Sequence, residues 1–341
     1  MRVGKLTNRD LEEIVLSRLP RLSGDTFRGP EVGSDCAFVK IGEHFLVTST
    51  DPVTAGGMLS GTLAVHVSCN DIAAAGIKPT SLLLVLLAPP TATREQLITL
   101  VDQAAAAADS LGVDIIGGHT EITDSVNRFV ITTTAFGNWS PNLPLVAGRA
   151  HIGDSLIMTK TAALEGTFIA AHEYEQRARR ILSDKEYSDA LALIGQLSVV
   201  SEGLVAASTP LSDKRKDPNG YTLSAASAMH DVTEGGVYGA AHEMATLSGL
   251  GIRIEKSAIP ILPVTAKIAS AFGLDPYRLI ASGSLLIATP EPESILCHLR
   301  EKEIRGTVIG QFVESGFTIR KENGEEEELT PPEADELYKL S

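Results

Sequence analysis

Four aspartates stand at the ends of apolar runs: Asp35 in GSDCAFV, Asp51 in TSTDPV, Asp71 in SCNDIAAAGIKP and Asp231 in HDVTEGGV. A carboxylate beside or inside a hydrophobic run must be desolvated, which is costly unless a cation or several hydrogen-bond donors compensate. Asp71, within the most apolar helix-like stretch of the chain, is the extreme case. A hard divalent cation is one compensation, because Mg2+ takes carboxylate oxygens together with phosphate oxygens and waters. Aspartates from different elements converging on one cleft would then suit a metal–nucleotide site. The alternative is local: Asp71 with Asn70 caps nearby backbone, and Asp35 and Asp51 are turn residues.

Two glycine-rich segments add donors. GGHTEIT (117–123) follows an apolar run, and Gly117 and Gly118 would let backbone N–H groups approach a ligand. His119 and Glu121 point the same way if that segment stays extended; a histidine there is equally a hydrogen-bonded structural residue. In HDVTEGGVYGAAHE, Gly235 and Gly236 open a helix whose dipole and unpaired N–H groups can receive an anion, or else form a tight strand-to-helix turn. There is no GxxxxGK[ST], no HRD or DFG pair and no GxSxG, so a nucleotide would have to bind without a P-loop or protein-kinase apparatus.

The elements that must position these residues follow from periodicity. LEEIVLSRL (11–19) has helical spacing with Asn8 or Asp10 as caps, and strand-like runs at 36–39 and 44–49 suggest a hairpin. A buried helix is expected over 59–75, a strand over 81–87, a helix from Thr91 or Thr93 to Leu111, and strands over 113–116, 129–136 and 155–159. Residues 183–207 read as one or two helices, 213–220 as a polar loop and GEEEELTPPEADELYKL as an acidic, exposed tail. A length of 341 residues exceeds one comfortable core. Two domains are expected, 1–149 and 150–341, both α/β. The formal charge of −14 disfavours nucleic acid and anionic membrane as partners. Cys36, Cys69 and Cys297 form no CxxC pair, and no window reaches membrane-span length, so a reducing, cytoplasmic setting is expected.

The blocks GSDCAFV, TSTDPV, SCNDIAAAGIKP, GGHTEIT and HDVTEGGV, in this order, resemble the aminoimidazole ribonucleotide synthetase superfamily, over about Gly4 to Gly310. The GKL start, GGHTE and DVTEGG are most similar to its HypE-like branch. The resemblance implies two α/β (α+β) domains, the first pairing with its copy so that the sheets of a homodimer form a barrel. It implies ATP and Mg2+ as cofactors. Asp35, Asp51, Asp71 and Glu121 would be metal ligands, Lys5, Asn70, Gly117, Gly118, Gly235 and Gly236 nucleotide contacts, and His119 and Asp231 catalytic residues. Ser34 stands where many relatives have Asp, which makes the metal shell one carboxylate poorer. The implied activity is ATP-dependent phosphorylation of an amide-, carbamoyl- or carboxylate-type oxygen on a small or protein-bound substrate. Phosphotransfer like that of thiamine monophosphate kinase, or a non-catalytic nucleotide-binding scaffold, is the alternative. HypE proteins end in a cysteine-bearing tail, whereas this sequence ends Tyr338-Lys339-Leu340-Ser341, so an acceptor other than that terminal thiol is expected.

Overall fold

The computed structural model describes residues 5–20, 24, 26–42, 44–54, 57–139, 147–216, 222–331 and 334–340. A short helical turn, α1 (Asn8–Asp10), is capped by the Thr7 hydroxyl, which accepts from the Asp10 N–H; a π-helical stretch (Leu11–Val15) and a 3-10 turn (Leu16–Arg18) follow. The cap is therefore Thr7, and neither Asn8 nor Asp10.

The first sheet joins β1 (Thr26–Arg28), β2 (Ala37–Ile41), β3 (His44–Val53), β4 (Pro79–Ala88), β5 (Asp114–Ile122) and β6 (Val130–Trp139) in the order β1-β2-β3-β6-β4-β5. Only β4 and β5 pair in parallel. Helices α2 (Ser60–Ala74) and α3 (Arg94–Leu111) cover one face of it. Small residues make that contact close: a Cβ at Gly61 would stand 2.2 Å from the Leu100 carbonyl oxygen. A Thr93/Gln96 capping box starts α3 and the left-handed Gly112 ends it.

The strand expected to stop at Ile116 continues through GGHTEI to Ile122. Gly118 has φ +151°, and a Cβ there would lie 1.7 Å from the Leu84 carbonyl oxygen. Gly118 therefore serves strand packing, where glycine N–H groups approaching a ligand were expected.

The second sheet comprises β7 (Ser155–Thr159), β8 (Ala228–Asp231), β9 (Gly251–Glu255), β10 (Leu285–Thr289), β11 (Gly306–Val313), β12 (Phe317–Arg320) and β13 (Glu326–Glu328), in the order β13-β12-β9-β11-β7-β10-β8. Its helices are α4 (Leu164–Glu173), α5 (Glu175–Ala178), α6 (Asp184–Ala192), α7 (Val200–Ser208), α8 (Gly236–Leu247), α9 (Pro263–Phe272) and α10 (Pro292–Glu301). Val237, Ala240 and Met244 of α8 pack on one face with Leu156, Ile252 and Phe312; α7 and α10 pack on the other against Ile157, Met229 and Ile287.

The polar loop expected from Asp213 falls partly outside the described residues, which resume at Thr222. The acidic tail is not uniformly exposed. Leu329, Asp335 and Glu336 are buried, and Leu337 and Leu340 join an apolar cluster with Phe272 and Leu279. Burial of these leucines and the backbone partners of Asp335 hold the segment down despite its charge.

Candidate active site

Four elements bring the aspartates together. Asp35 enters just before β2, after Gly33 in the left-handed region (φ +75°), where a Cβ would meet Leu247 Cδ1 at 2.6 Å. Asp51 lies near the end of β3, on the α2 side of the sheet. Asp71 extends from α2 and accepts a short hydrogen bond from the Ser49 hydroxyl. Asp231 ends β8, the fully buried edge strand of the second sheet.

This arrangement carries strong electrostatic stress. Burial, then the charges of Asp231, Asp51 and Asp35, push the Asp71 carboxyl well above the usual range. Asp51 is raised by burial and by Asp231, while a hydrogen bond with Asp71 and the charge of Lys5 oppose the shift. Burial and mutual repulsion thus disfavour charge on the closely placed Asp51 and Asp71 carboxyls together. Asp35, at the cleft mouth, is likewise raised by burial and by Asp231 and Glu243, against His230 and Lys5.

His230, which sequence reasoning passed over, sits inside this cluster. Its Nδ1 is 3.4 Å from Asp35 Oδ2 and 3.8 Å from Asp231 Oδ1, and its Nε2 is 3.2 Å from Glu243 Oε2. Burial disfavours the charged ring, but these three carboxylates outweigh it and hold His230 protonated well above the usual histidine range. The only sequence signal was its place in the HDVTEGG block; its partners come from β2's approach and from α8. Lys5 is exposed as a residue. Desolvation works against its charge, yet Asp51, Glu234, Asp35 and Glu243 outweigh that and keep the ammonium protonated beyond its ordinary range.

A divalent cation fits this site. Among the described residues both Asp231 oxygens are buried without a hydrogen-bond donor, and His230 Nδ1 at 3.8 Å is too far to serve as one. Oxygens of Asp35 and Asp231 and a ring nitrogen of His230 lie within 4.8 Å of one another; with the ring protonated, the carboxylates are the groups that can ligate. Hard carboxylate oxygens from Asp35, Asp51, Asp71 and Asp231 are the donor set that Mg2+ takes.

The remaining expected residues go elsewhere. His119 Nε2 and Glu121 Oε2 are 3.3 Å apart with side chains 65% and 52% exposed. They share the register of Val85 and Leu87, on the sheet face opposite α2. The row Asp51–Thr133–Leu84–Gly118 spans three strand spacings, about 14 Å. Within one chain Glu121 thus does not complete the aspartate shell. Asn70 is fully buried, and its amide joins the second domain: Nδ2 donates to Leu197 O and Oδ1 accepts from Val199 N, both at 2.8 Å. It is spent on this contact, where a nucleotide contact was expected. Ser34 donates to Cys36 O at 3.1 Å. Gly235 (φ +85°) and Gly236 (φ +62°) open α8, but the Gly235 N–H already donates to Asp335 Oδ2 at 2.8 Å. Burial pushes the Cys69 thiol up to about 12, and burial with nearby aspartates holds Cys36 well above the ordinary thiol range, so both are small buried thiols.

Comparison with known proteins matches residues 33–139 to the AIR synthase related protein N-terminal domain and residues 151–321 to the AIR synthase related protein C-terminal domain. The chain belongs to the AIR synthase related family. It is 28% identical over 297 residues to the carbamoyl dehydratase HypE of Escherichia coli (strain K12), covering 85% of this chain and 81% of that protein. Among solved folds, a hydrogenase maturation protein HypE in complex with ATP superposes with a TM-score of 0.72 at 20% identity, over 99% of this chain and 98% of the other. Thiamine monophosphate kinase from Aquifex aeolicus superposes with a TM-score of 0.67 at 18% identity, over 97% and 100%. Among the described residues no single helix is long and apolar enough to cross a membrane.

Proposed function

We propose that this protein is an ATP- and Mg2+-dependent enzyme of the HypE type that phosphorylates a carbamoyl-, amide- or carboxylate-type oxygen. The observation that supports it best is the four-aspartate cluster shared by both domains, with the Asp231 oxygens undonated. When bound, Mg2+ supplies charge neutralisation for a triphosphate. Asp35, Asp51, Asp71 and Asp231 hold it, and Lys5 offers an ammonium to phosphate oxygens at the mouth. His230, bonded to Glu243 through Nε2, sets a positive charge beside Asp35 and Asp231. In the transfer, the acceptor oxygen bonds to the γ-phosphorus as the bond to the ADP oxygen breaks. The new phosphate ester makes a leaving group for dehydration, ring closure or amination.

The relatives' names support this acceptor class: one is a carbamoyl dehydratase, and one fold neighbour was solved with ATP. The likeness to thiamine monophosphate kinase favours plain phosphotransfer as the second reading. We further read the protein as a cytoplasmic homodimer. The first sheet leaves Leu83 36% exposed with half-buried Val85, Leu87 and Phe136 on its open face, and β5 is wholly exposed at its edge. A second copy would cover that face and could bring its own groups to His119 and Glu121.

The deciding experiment is Mg2+-dependent ADP release against amides, carboxylates, carbamoyl compounds and thiamine monophosphate. Turnover with a carbamoyl or amide acceptor is expected. Turnover with thiamine monophosphate alone establishes the second reading, and ATP binding without turnover on any acceptor overturns both in favour of a scaffold.

A further inference from the structure

Where the two domains meet, Lys160 follows β7 with φ +53°, a left-handed backbone that costs energy for a residue bearing a Cβ. Its Nζ stands 2.5 Å from Ser198 O, 2.8 Å from Gly283 O, 3.2 Å from Gln196 O and 2.6 Å from Glu202 Oε1. An ammonium has three N–H donors. Four oxygens at this range therefore enclose it much as they would enclose a bare monovalent cation. The pair is sheltered, with side chains of Lys160 19% and Glu202 4% exposed, so loss of the cation would leave a buried carboxylate and converging carbonyls uncompensated.

The same turn that surrounds Lys160 also seats α2. Leu197 O and Val199 N, either side of Ser198, are the partners of Asn70, the residue before Asp71. The packing there leaves no slack: a Cβ at Gly283 would meet Gln196 O at 2.3 Å, and one at Gly203 would meet Ala73 O at 2.2 Å. The charge reaches α2 itself, since burial and then Lys160 hold His66, one turn before Asn70, down at about 4.

We propose that Lys160 is a positioning residue for the metal site: by gathering residues 196–198, Gly283 and Glu202 around one ammonium, it fixes the seat of Asn70 and so the place of Asp71 relative to Asp231. This rests on the metal–nucleotide reading above. It is tested on the full chain, without nucleotide, by titrating Mn2+ calorimetrically into wild type, Asp71→Asn and Lys160→Ala, with hydrogen exchange followed at the Val199 amide. Lys160→Ala in tetramethylammonium chloride, whose cation is too large for the vacated cage, should bind Mn2+ about tenfold more weakly, the usual scale for a residue supporting a ligand. The Val199 amide should exchange faster, and ammonium chloride should restore both quantities. A merely structural lysine would lower the thermal midpoint while leaving the Mn2+ affinity of the folded protein alone. A folded Lys160→Ala protein with wild-type Mn2+ affinity, or a loss that ammonium does not restore, overturns the proposal. If that variant does not fold, Lys160→Arg carries the test, because a planar guanidinium cannot replace a point charge in this cage; wild-type Mn2+ affinity there overturns it equally. Asp71→Asn separates the two readings. Unchanged Mn2+ binding in that variant removes the metal site and this proposal with it, whereas lost binding beside a normal Lys160→Ala removes only the proposal.

Discussion

Asp71 concentrates the chemistry of the cluster in one side chain: it is 4% exposed, bonded to Ser49 and raised by burial and then by three other aspartates. Replacing it with Asn keeps the shape and removes the charge a metal would use. Asp71→Asn is expected to weaken Mg2+-dependent ATP binding by at least about tenfold while leaving metal-free binding unchanged, as read by calorimetry with and without Mg2+. Equal metal dependence in the folded variant would remove Asp71 from the site. Glu165 makes a separate prediction about pH. Burial first, then Asp335 and Glu234, raise its carboxyl to about 7 against hydrogen bonds from Ser282, and among the described residues its Oε2 is buried without a partner. A carboxyl raised in the folded state binds its proton more tightly than in the unfolded chain, so its contribution to stability falls as pH rises from the unfolded value of 4.5 to about 7. Glu165→Gln should therefore be near neutral at pH 4.5 and stabilising by about 3 kcal/mol at pH 8. Thermal midpoints of both proteins across that range check the slope; a constant difference would refute it.

At the scale of elements, α2 is held from both sides by glycines that permit backbone contact, Gly61 toward α3 and Gly203 from α7. Gly203→Ala places a methyl 2.2 Å from the Ala73 carbonyl oxygen, which only a shift of helix against helix can relieve. A loss of about 1–3 kcal/mol is expected, the range for overpacking, read as a lower urea midpoint; an unchanged midpoint would show that the domain junction is looser than these contacts require. The open β5 edge shows the opposite economy. His119 and Glu121 form an exposed pair, worth about 0–1 kcal/mol, so His119→Ala should leave the thermal midpoint nearly unchanged. A turnover loss in that variant would then mean that another chain brings His119 to a cleft.

For the whole molecule, the uncovered face of the first sheet is the decisive feature. Leu83, Val85, Leu87 and Phe136 would face water in an isolated chain, and closed two-fold pairing is the common way to bury such a face. Light scattering should report a dimer at micromolar concentration, and Leu83→Glu should shift it to monomer by placing a charge in the interface. A monomeric wild type would count against the paired sheets and against any role for His119 and Glu121 in the site.

Much of this was legible from residues alone. The 3.6 and 2.0 periods placed α2, α3, β3, β4 and β7 to within a few residues, because apolar spacing reflects which face is buried. Desolvation logic singled out the four aspartates that the structure gathers, since a carboxylate in an apolar run needs compensation whatever the fold. Partners distant in sequence were not legible. His230 finds Asp35 through the docking of one domain on the other, Asn70 is diverted to the turn at 197–199, and Asp335 returns along the chain to take the Gly235 N–H. The continuation of β5 through its glycines was equally hidden, because the reason for Gly118 is a carbonyl on the neighbouring strand. The sequence by itself determined which groups must be compensated and the periods of most elements, both local properties of solvation and backbone geometry. Only the tertiary structure decided which group compensates which, because that depends on distances between segments that no local pattern encodes.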